Sequence, residues 1–298
     1  MTVRTVTVGT FSTSATIAVA KAAGFFQRVG LDVAVEECRS STQQIQLLHS
    51  RRYDIIHTSP DNVMKARLDG SDAIIFLVID AGLPQHLVAR AGATIESLRS
   101  GVMGVDAPDS GYAFILYQLL GAHGLQRDHD YTTVSVGSSR DRLDALVAGS
   151  IHGGLLNSTM LPRAQAQGLA SLVSVSQHMP WYPGTAAATT QRFAADHPEL
   201  LRGYVQAMTA ARRWSDDPAH AEARDHMTAT HLGIPVAEAR TVLASEAAAR
   251  TMSLPDLAQV EDSLARVAQL RRDITGSEPV GYFDPTWMAA ESDAHRSR

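Results

Sequence analysis

The side chains best suited to chemistry lie in the stretch "DIIHTSPDNV", residues 54–63. Two isoleucines of an apolar strand are followed directly by His57, Thr58, Ser59, Pro60, Asp61 and Asn62. A tight turn needs only about three turn-forming residues, so the surplus predicts side chains that hydrogen-bond a small molecule. The alternative is that Thr58, Ser59 and Asp61 only cap the helix that follows. The ligand-binding interpretation assigns contacts to His57, Thr58, Ser59 and Asn62.

Further segments have the same form, in which a strand ends in small polar residues that begin a helix: 10–16, 107–112, 137–140 and 157–159. In an open α/β sheet, ligands bind outside the carboxyl ends of the strands, where free helix N–H groups favour an anion or a carbonyl. Ordinary turns and caps are the alternative in each case. The candidate contacts from these segments are Phe11, Ser12, Thr13, Ser14, Asp109, Ser110, Gly111, Tyr112, Gly137, Ser138, Ser139 and Asn157.

The segment "HMPWYPG" at 178–184 adds an aromatic candidate, Trp181. Trp181 and Tyr182 stand between two prolines, which predicts either an aromatic lid over a ligand or a structural surface cluster. The candidate segments hold few basic residues, and Arg140 is the exception. This scarcity favours a neutral or singly charged ligand over a doubly charged one.

Catalytic candidates are few. Cys38 is the single cysteine, and a thiol close to His57 would form a nucleophilic pair. The alternatives, which we favour, are a small buried apolar role for Cys38 and a hydrogen-bonding role for His57. The chain has no HxxxH motif, no CxxC motif and no carboxylate cluster, so no metal site and no cofactor are expected.

The elements that must position these residues alternate in type. The predicted strands are 3–9, 31–37, 53–57 and 72–79, and the helices between them are 17–26, 41–50 and 61–70. A second α/β set covers about 94–176, and the chain from 185 onward is mostly helical, its last helix starting after Ser253. Near-continuous apolar strands favour parallel sheets covered by helices on both faces.

The composition limits the partners. The 298 residues carry a net charge of −5 without a basic run, which argues against nucleic acid. No window approaches the ~20 apolar residues of a transmembrane helix. The N-terminus "MTVRTVTVGTF" has neither a charged n-region nor the apolar h-region of a signal peptide. The chain is therefore expected to be cytoplasmic as written, or periplasmic or extracellular if an export signal was removed.

A family resemblance is carried by "AVAKAAGFFQRVGLDVAVEE" (18–37), "RRYDIIHTSPDNVMKARLDG" (51–70), "GVMGVDAPDSGYAFILYQLLGAHGL" (101–125) and "LDALVAGSIHGGLLN" (143–157). In this order the sequence resembles the SsuA/THI5-like (NMT1-like) substrate-binding proteins of ABC importers. The resemblance implies an α/β, two-lobed type II periplasmic-binding-protein fold. Each lobe would be a mostly parallel sheet flanked by helices, with the helical C-terminal region packed on lobe 1.

The resemblance also implies a division of the chain and a function. Lobe 1 would comprise 1–88 and 186–298, lobe 2 would comprise 89–185, and hinge strands would lie near 86–91 and 184–189. The lobes would enclose a small organic ligand of the sulfonate, carboxylate or heteroaromatic class, and a monomer would dock on an ABC permease. Because some relatives catalyse, a cytosolic enzyme of lyase, desulfinase or pyrimidine-precursor type stays open, with His57 and Cys38 as its candidates.

Overall fold

The computed structural model describes residues 4–11, 14–249 and 255–289. Within these ranges the chain forms two five-stranded sheets. In chain order the strands are β1 (Arg4–Thr10), β2 (Leu31–Glu37), β3 (Ile55–Thr58), β4 (Ala73–Val78), β5 (Gln85–Arg90), β6 (Val102–Val105), β7 (Thr132–Ser135), β8 (Gly153–Asn157), β9 (Leu169–Ser174) and β10 (Ala186–Thr190).

Helices flank both sheets and make up most of the C-terminal third. They are α1 (Ala15–Ala22), α2 (Phe25–Arg28), α3 (Ser41–His49), α4 (Pro60–Leu68), α5 (Gly111–Ala122), α6 (Ser139–Ala148), α7 (Leu161–Ala166), α8 (Val175–His178), α9 (Gln191–Asp196), α10 (Pro198–Asp216), α11 (Ala221–Leu232), α12 (Val236–Ala248) and α13 (Leu257–Thr275), with 3₁₀ turns at Glu96–Leu98 and Pro218–His220. The predicted helix at 94–101 is reduced to the first of these turns.

Each described sheet has four strands in one direction and one reversed strand. The first sheet has the order β2-β1-β3-β10-β4, and β10 is antiparallel to both of its neighbours. The second has the order β7-β6-β8-β5-β9, and β5 is antiparallel to both of its neighbours. In both sheets the reversed strand is the first one that the chain enters after crossing over. The predicted fold class, two mostly parallel sheets flanked by helices with a helical C-terminal region, is confirmed.

The strand β10 forms where the alanine-rich run begins the predicted helical region. Alanine favours helices by propensity, but Ala186, Ala187 and Ala188 are fully buried between β3 and β4. There the backbone is hydrogen-bonded on both sides, which outweighs the local preference. The reversed strand thus completes the first sheet from a distant part of the chain.

The chain crosses between the sheets through residues 79–84 and 175–185. The predicted lobe limits and hinges stay predictions. Residues 85–90, which include most of the first predicted hinge, pair with β8 and β9 of the second sheet. One hydrophobic core runs through both halves of the molecule, and a smaller one lies beneath the second sheet.

Helix α13 packs against both α4 and α5, so it spans the two halves. Its N-cap is Asp256, in a reciprocal capping box with Gln259, and not Ser253, which lies outside the described residues. The capping box includes a hydrogen bond of 3.3 Å, in which the Asp256 backbone N–H donates to Oε1 of Gln259, three residues further along the chain. Beyond α13, residues 282–284 lie along β4, where the Ile75 N–H donates to the Tyr282 carbonyl at 2.7 Å.

Candidate functional site

The imidazole of His57 is fixed by a buried tyrosine. Its Nε2 lies 2.8 Å from the Tyr204 hydroxyl, and its backbone carbonyl accepts from Gln44 Nε2 at 2.9 Å. Burial lowers the pKa of His57 to about 3, so the ring is neutral at physiological pH. His57 also forms part of the wall of a cavity between the sheets.

The residues after His57 connect parts of the protein to each other. The Thr58 hydroxyl accepts from Asn62 Nδ2 at 2.9 Å, and Asn62 Oδ1 accepts from the Gly111 N–H at 3.2 Å. Ser59 is the N-cap of α4, but its hydroxyl makes no capping bond; it lies 2.9 Å from the Tyr182 hydroxyl. The turn therefore joins the first sheet to α5 and to the second crossing segment.

An ion pair lies behind this turn. Arg271 of α13 donates to both carboxylate oxygens of Asp61, at 2.7 and 2.6 Å, and to the Asp109 carbonyl at 3.1 Å. The approach of α5 is close, because a Cβ at Gly111 would lie 2.5 Å from Ser59 Oγ. Together these contacts hold the start of α5 against the start of α4.

A cavity of about 110 Å³ lies between the two sheets, with walls from both. The first half contributes residues from β1, β3 and the start of α1, and the second contributes residues from the start of α6 and the end of β8. Helices α10 and α12 add one residue each. The cavity is rich in hydroxyl groups, from Thr10, Ser14, Thr16, Tyr112, Ser138, Ser139, Ser158, Thr159 and Thr185.

One side of the cavity is basic. Arg142, which is 4% exposed, donates to the Leu155 carbonyl at 2.9 Å and to Ser139 Oγ at 3.1 Å. Among the described residues, no acidic side chain forms a hydrogen bond or ion pair with Arg142. The start of α6 lies on the same side, where Ser138 forms a capping box with Asp141. A buried guanidinium beside a helix N-terminus suits a ligand oxygen that carries negative charge.

Acidic groups also line the cavity. Asp80 accepts from Arg212 at 2.7 Å, and both side chains are buried. Glu246 of α12 accepts from the Ser158 hydroxyl at 3.2 Å. Burial, followed by the charge of Asp80, raises the pKa of Glu246 to about 7. Gln85 lines the same cavity, and its Oε1 has no hydrogen-bond partner within the described part of the chain.

The structure brings eight of the predicted contact residues together around the cavity: Phe11, Ser14, His57, Tyr112, Gly137, Ser138, Ser139 and Asn157. It places seven of the others elsewhere. Thr58, Ser59, Asn62, Ser110 and Gly111 lie in the buried contact between α4 and α5. The Asp109 carboxylate is 3.4 Å from Lys65, and Trp181 packs on Tyr182. Ser12 and Thr13 lie outside the described residues.

Several cavity residues were not predicted from the sequence. These are the charged residues Arg39, Asp80, Asp106, Arg142, Arg212 and Glu246, together with Gln85. Arg142 could have been found, because it is four residues after the predicted contact Ser138 and so lies on the same helical face. Arg140 is exposed and lines a neighbouring outer cavity. The cavity is therefore more highly charged than the sequence suggested.

The two catalytic candidates, Cys38 and His57, line different cavities. Cys38 is buried, and its Sγ donates to the Thr10 carbonyl at 3.4 Å. Burial raises the pKa of Cys38 to about 12, so the reactive thiolate is scarce at neutral pH. Cys38 lines the outer cavity and His57 the inner one.

No group of three or more His, Cys, Asp or Glu side chains in residues 4–11, 14–249 and 255–289 is arranged to hold a metal ion. Within the same ranges, no helix has the length and apolar character needed to cross a bilayer.

The two sheets, the crossing segments and the shared cavity define the periplasmic-binding-protein fold. The chain belongs to the NMT1-like family, whose model matches residues 2–230, and the predicted family is thereby confirmed. No curated protein matches the chain in sequence.

Solved structures share the fold at low sequence identity. A ligand-binding component of an ABC-type import system from Staphylococcus aureus, solved with zinc bound, has a TM-score of 0.80 and 14% identity over 96% of this chain and 98% of that one. The alkanesulfonate-binding protein SsuA from Xanthomonas axonopodis pv. citri, bound to MOPS, has a TM-score of 0.73 and 15% identity over 92% of each chain. The desulfurization enzyme DSZB has a TM-score of 0.69 and 15% identity over 98% of this chain and 99% of that one.

Proposed function

We propose that the protein binds a small organic ligand, of the sulfonate, carboxylate or heteroaromatic class, in the cavity between its two sheets. We propose further that it acts as the substrate-binding component of an ABC-type importer. The observation that carries the proposal is the shared cavity, whose walls come from both halves of the chain. Membership of the NMT1-like family and the likeness to an import-system component and to an alkanesulfonate-binding protein support it.

The ligand is held by hydroxyl groups from both walls and by the basic side around Arg142. The predicted contacts Phe11, Ser14, His57, Tyr112, Gly137, Ser138, Ser139 and Asn157 are proposed to touch it. The predicted contacts in the α4–α5 junction instead keep the walls in place. Three arginines and three acidic residues line the cavity, a balance that favours a neutral, singly charged or zwitterionic ligand.

Capture follows from closure of the two halves. Rotation about the crossing segments 79–84 and 175–185, which adjoin the predicted hinges at 86–91 and 184–189, would open and close the cavity. Two hydrogen bonds already bridge it, one from Ser158 to Glu246 at 3.2 Å and one from Ser41 to Asp106 at 3.3 Å. The closed form, a monomer, would then dock on a membrane permease, which places the working protein outside the cytoplasm.

A thermal-shift screen of sulfonates, aromatic acids and pyrimidines tests the proposal, because a ligand that binds only the folded state raises the melting temperature. We expect at least one hit, and we expect Arg142→Gln to lose the shift. The matched control is Arg140→Gln, which removes an exposed arginine two residues away. A screen without hits, or a shift that survives in Arg142→Gln, would contradict the binding site.

An enzyme is the second candidate, because DSZB has the same fold over nearly the full length of both chains. Its candidate residues here would be His57 and Cys38. The alternative is tested by incubating each hit with the protein and analysing the solution by mass spectrometry. Recovery of unchanged ligand favours binding, whereas a product that is absent without protein favours a lyase or desulfinase.

A further inference from the structure

A second cavity adjoins the one between the sheets. This outer cavity has a volume of about 360 Å³, against about 110 Å³ for the inner one. The two cavities share part of their walls, so they lie side by side. The shared residues are Phe11 and Arg39 from the first half of the molecule and Ser138, Ser139, Asn157 and Thr159 from the second. A ligand that passes between these residues would occupy both cavities and touch both halves.

The inner cavity is small for an organic ligand. An apolar cavity of about 150 Å³ holds one benzene molecule, whereas the inner cavity offers about 110 Å³. It therefore takes a compact polar group, which suits its hydroxyl-rich walls and the buried guanidinium of Arg142. Any larger part of the ligand needs further space, and the outer cavity supplies it.

The charged residues of the outer cavity balance one another. They are Arg39, Arg140 and Arg163 on the positive side and Glu37, Asp141 and Glu238 on the negative side. Asp141 accepts from the Ser138 N–H at 2.8 Å, and Glu238 lies 3.6 Å from Arg163. With His231 neutral, no net charge remains to select an ionic group. Glu37, Arg39 and Arg140 are exposed, so their charged groups stay hydrated.

Four large apolar side chains also line the outer cavity: Phe11, Met160, Leu232 and Ile234. Met160 is 8% exposed, and the other three are partly buried. An uncharged group that covers them is stabilised by its removal from water. The ring of Phe11 favours an aromatic partner through edge or offset contacts, and the thioether of Met160 favours one through sulfur–aromatic contact.

We infer that the outer cavity is a second subsite for the same ligand, and that it takes an uncharged aromatic ring. The ligand is then an elongated arylalkyl acid. Its compact acidic head lies in the inner cavity near Arg142, its tether passes between Phe11 and Asn157, and its ring covers Leu232 and Ile234. This inference rests on the proposed function, since it concerns the ligand of the inner cavity.

The test uses ω-phenylalkanoates with one to five methylene groups between ring and carboxylate, and propanoate as a probe for the head alone. Affinities are measured by isothermal titration calorimetry at pH 7.5 with the full chain. The best phenylalkanoate should bind at least about tenfold more tightly than propanoate, because its ring is removed from water. It should also bind more tightly than the cyclohexyl analogue with the same tether, which lacks the aromatic contacts.

The double variant Leu232→Asn/Ile234→Asn removes two apolar side chains from the outer cavity. It should weaken the best phenylalkanoate by at least about fivefold and leave propanoate within about twofold. The matched control is Leu68→Asn/Ile274→Asn, which makes the same two changes at residues that are 38% and 41% exposed and line neither cavity. Both affinities should keep their wild-type values in this control.

Three results would overturn the inference and leave the proposed function standing. They are phenylalkanoates that bind no more tightly than propanoate, a cyclohexyl analogue that binds as tightly as the phenyl compound, and an advantage of the ring that survives in Leu232→Asn/Ile234→Asn. Failure of every probe to bind at millimolar concentration would also overturn the inference, while hits among other classes in the thermal-shift screen would still support the proposed function.

Discussion

Arg271 and Asp61 form a buried ion pair with two hydrogen bonds, although 210 residues separate them. The guanidinium also donates to the Asp109 carbonyl at the start of α5 and lies 4.7 Å from the Phe114 ring centroid. One side chain of α13 therefore contacts helices of both halves. This contact fixes the start of α4 to the start of α5.

Arg271→Met should destabilise the protein by about 3–5 kcal/mol, because it leaves the buried Asp61 carboxylate without its partner. The measurement is urea unfolding at pH 7. Arg272→Met, which removes a neighbouring arginine that pairs with Glu278 on the surface, should cost less than about 1 kcal/mol. The double variant Asp61→Asn/Arg271→Met should recover part of the loss, and a double variant as unstable as Arg271→Met would contradict the ion-pair explanation.

Gly111→Ala should destabilise the contact between α4 and α5. The new methyl group would lie 2.5 Å from Ser59 Oγ and 2.7 Å from Asp61 Cβ, and such overpacking typically costs about 1–3 kcal/mol. Gly121→Ala is the matched control on the same helix, since no atom lies within 4 Å of its added Cβ. It should be neutral or stabilising by up to about 1 kcal/mol. Equal effects of the two substitutions in thermal unfolding would refute the close approach.

Stability should fall in mild acid because of His57. Its folded-state pKa of about 3 lies below the unfolded value of about 6.5, so protonation favours the unfolded chain. The contribution of His57 to the free energy of unfolding is fully present above about pH 6.5. It is lost as the pH falls towards 3, by roughly 1.4 kcal/mol per pH unit.

When the pH is lowered from 7 to 5, the free energy of unfolding of His57→Gln should therefore fall by about 2 kcal/mol less than that of the wild type. The free energy of unfolding from urea titrations at both pH values gives this difference. A wild-type pH dependence in His57→Gln would show that another group is responsible.

Local pattern was sufficient for most of the fold. The alternation of apolar strands with helices predicted β1 to β4, α3 and α4 within a few residues, because each element satisfies its own periodicity. The single helix predicted at 17–26 is instead divided at Gly24 into α1 and α2. The cavity residues Ser14, Ser138 and Ser139 were predicted because they follow a strand directly. Their position depends on the nearest strand and helix, which the sequence shows.

Long-range partners could not be predicted in this way. Arg212 and Glu246 reach the cavity from α10 and α12, and no local spacing distinguishes them from other helix residues. The turn at 57–62 was interpreted as a ligand-binding segment, and of its predicted contacts only His57 lines the cavity. Its partners Tyr182, Tyr204 and Arg271 are more than 120 residues away, so whether they or a ligand would satisfy its side chains depended on the tertiary structure.

The position of β10 also determines when each half can form during translation. The second sheet is built from the continuous stretch 85–174. The first sheet lacks β10, which lies between β3 and β4, until residues 186–190 have left the ribosome. The edges of strands β3 and β4 that pair with β10 therefore stay unpaired until about a hundred further residues have been synthesised. The second sheet, from the middle of the sequence, is thus the first that can be completed, and the N-terminal strands are the segment that most needs protection from aggregation in the nascent chain.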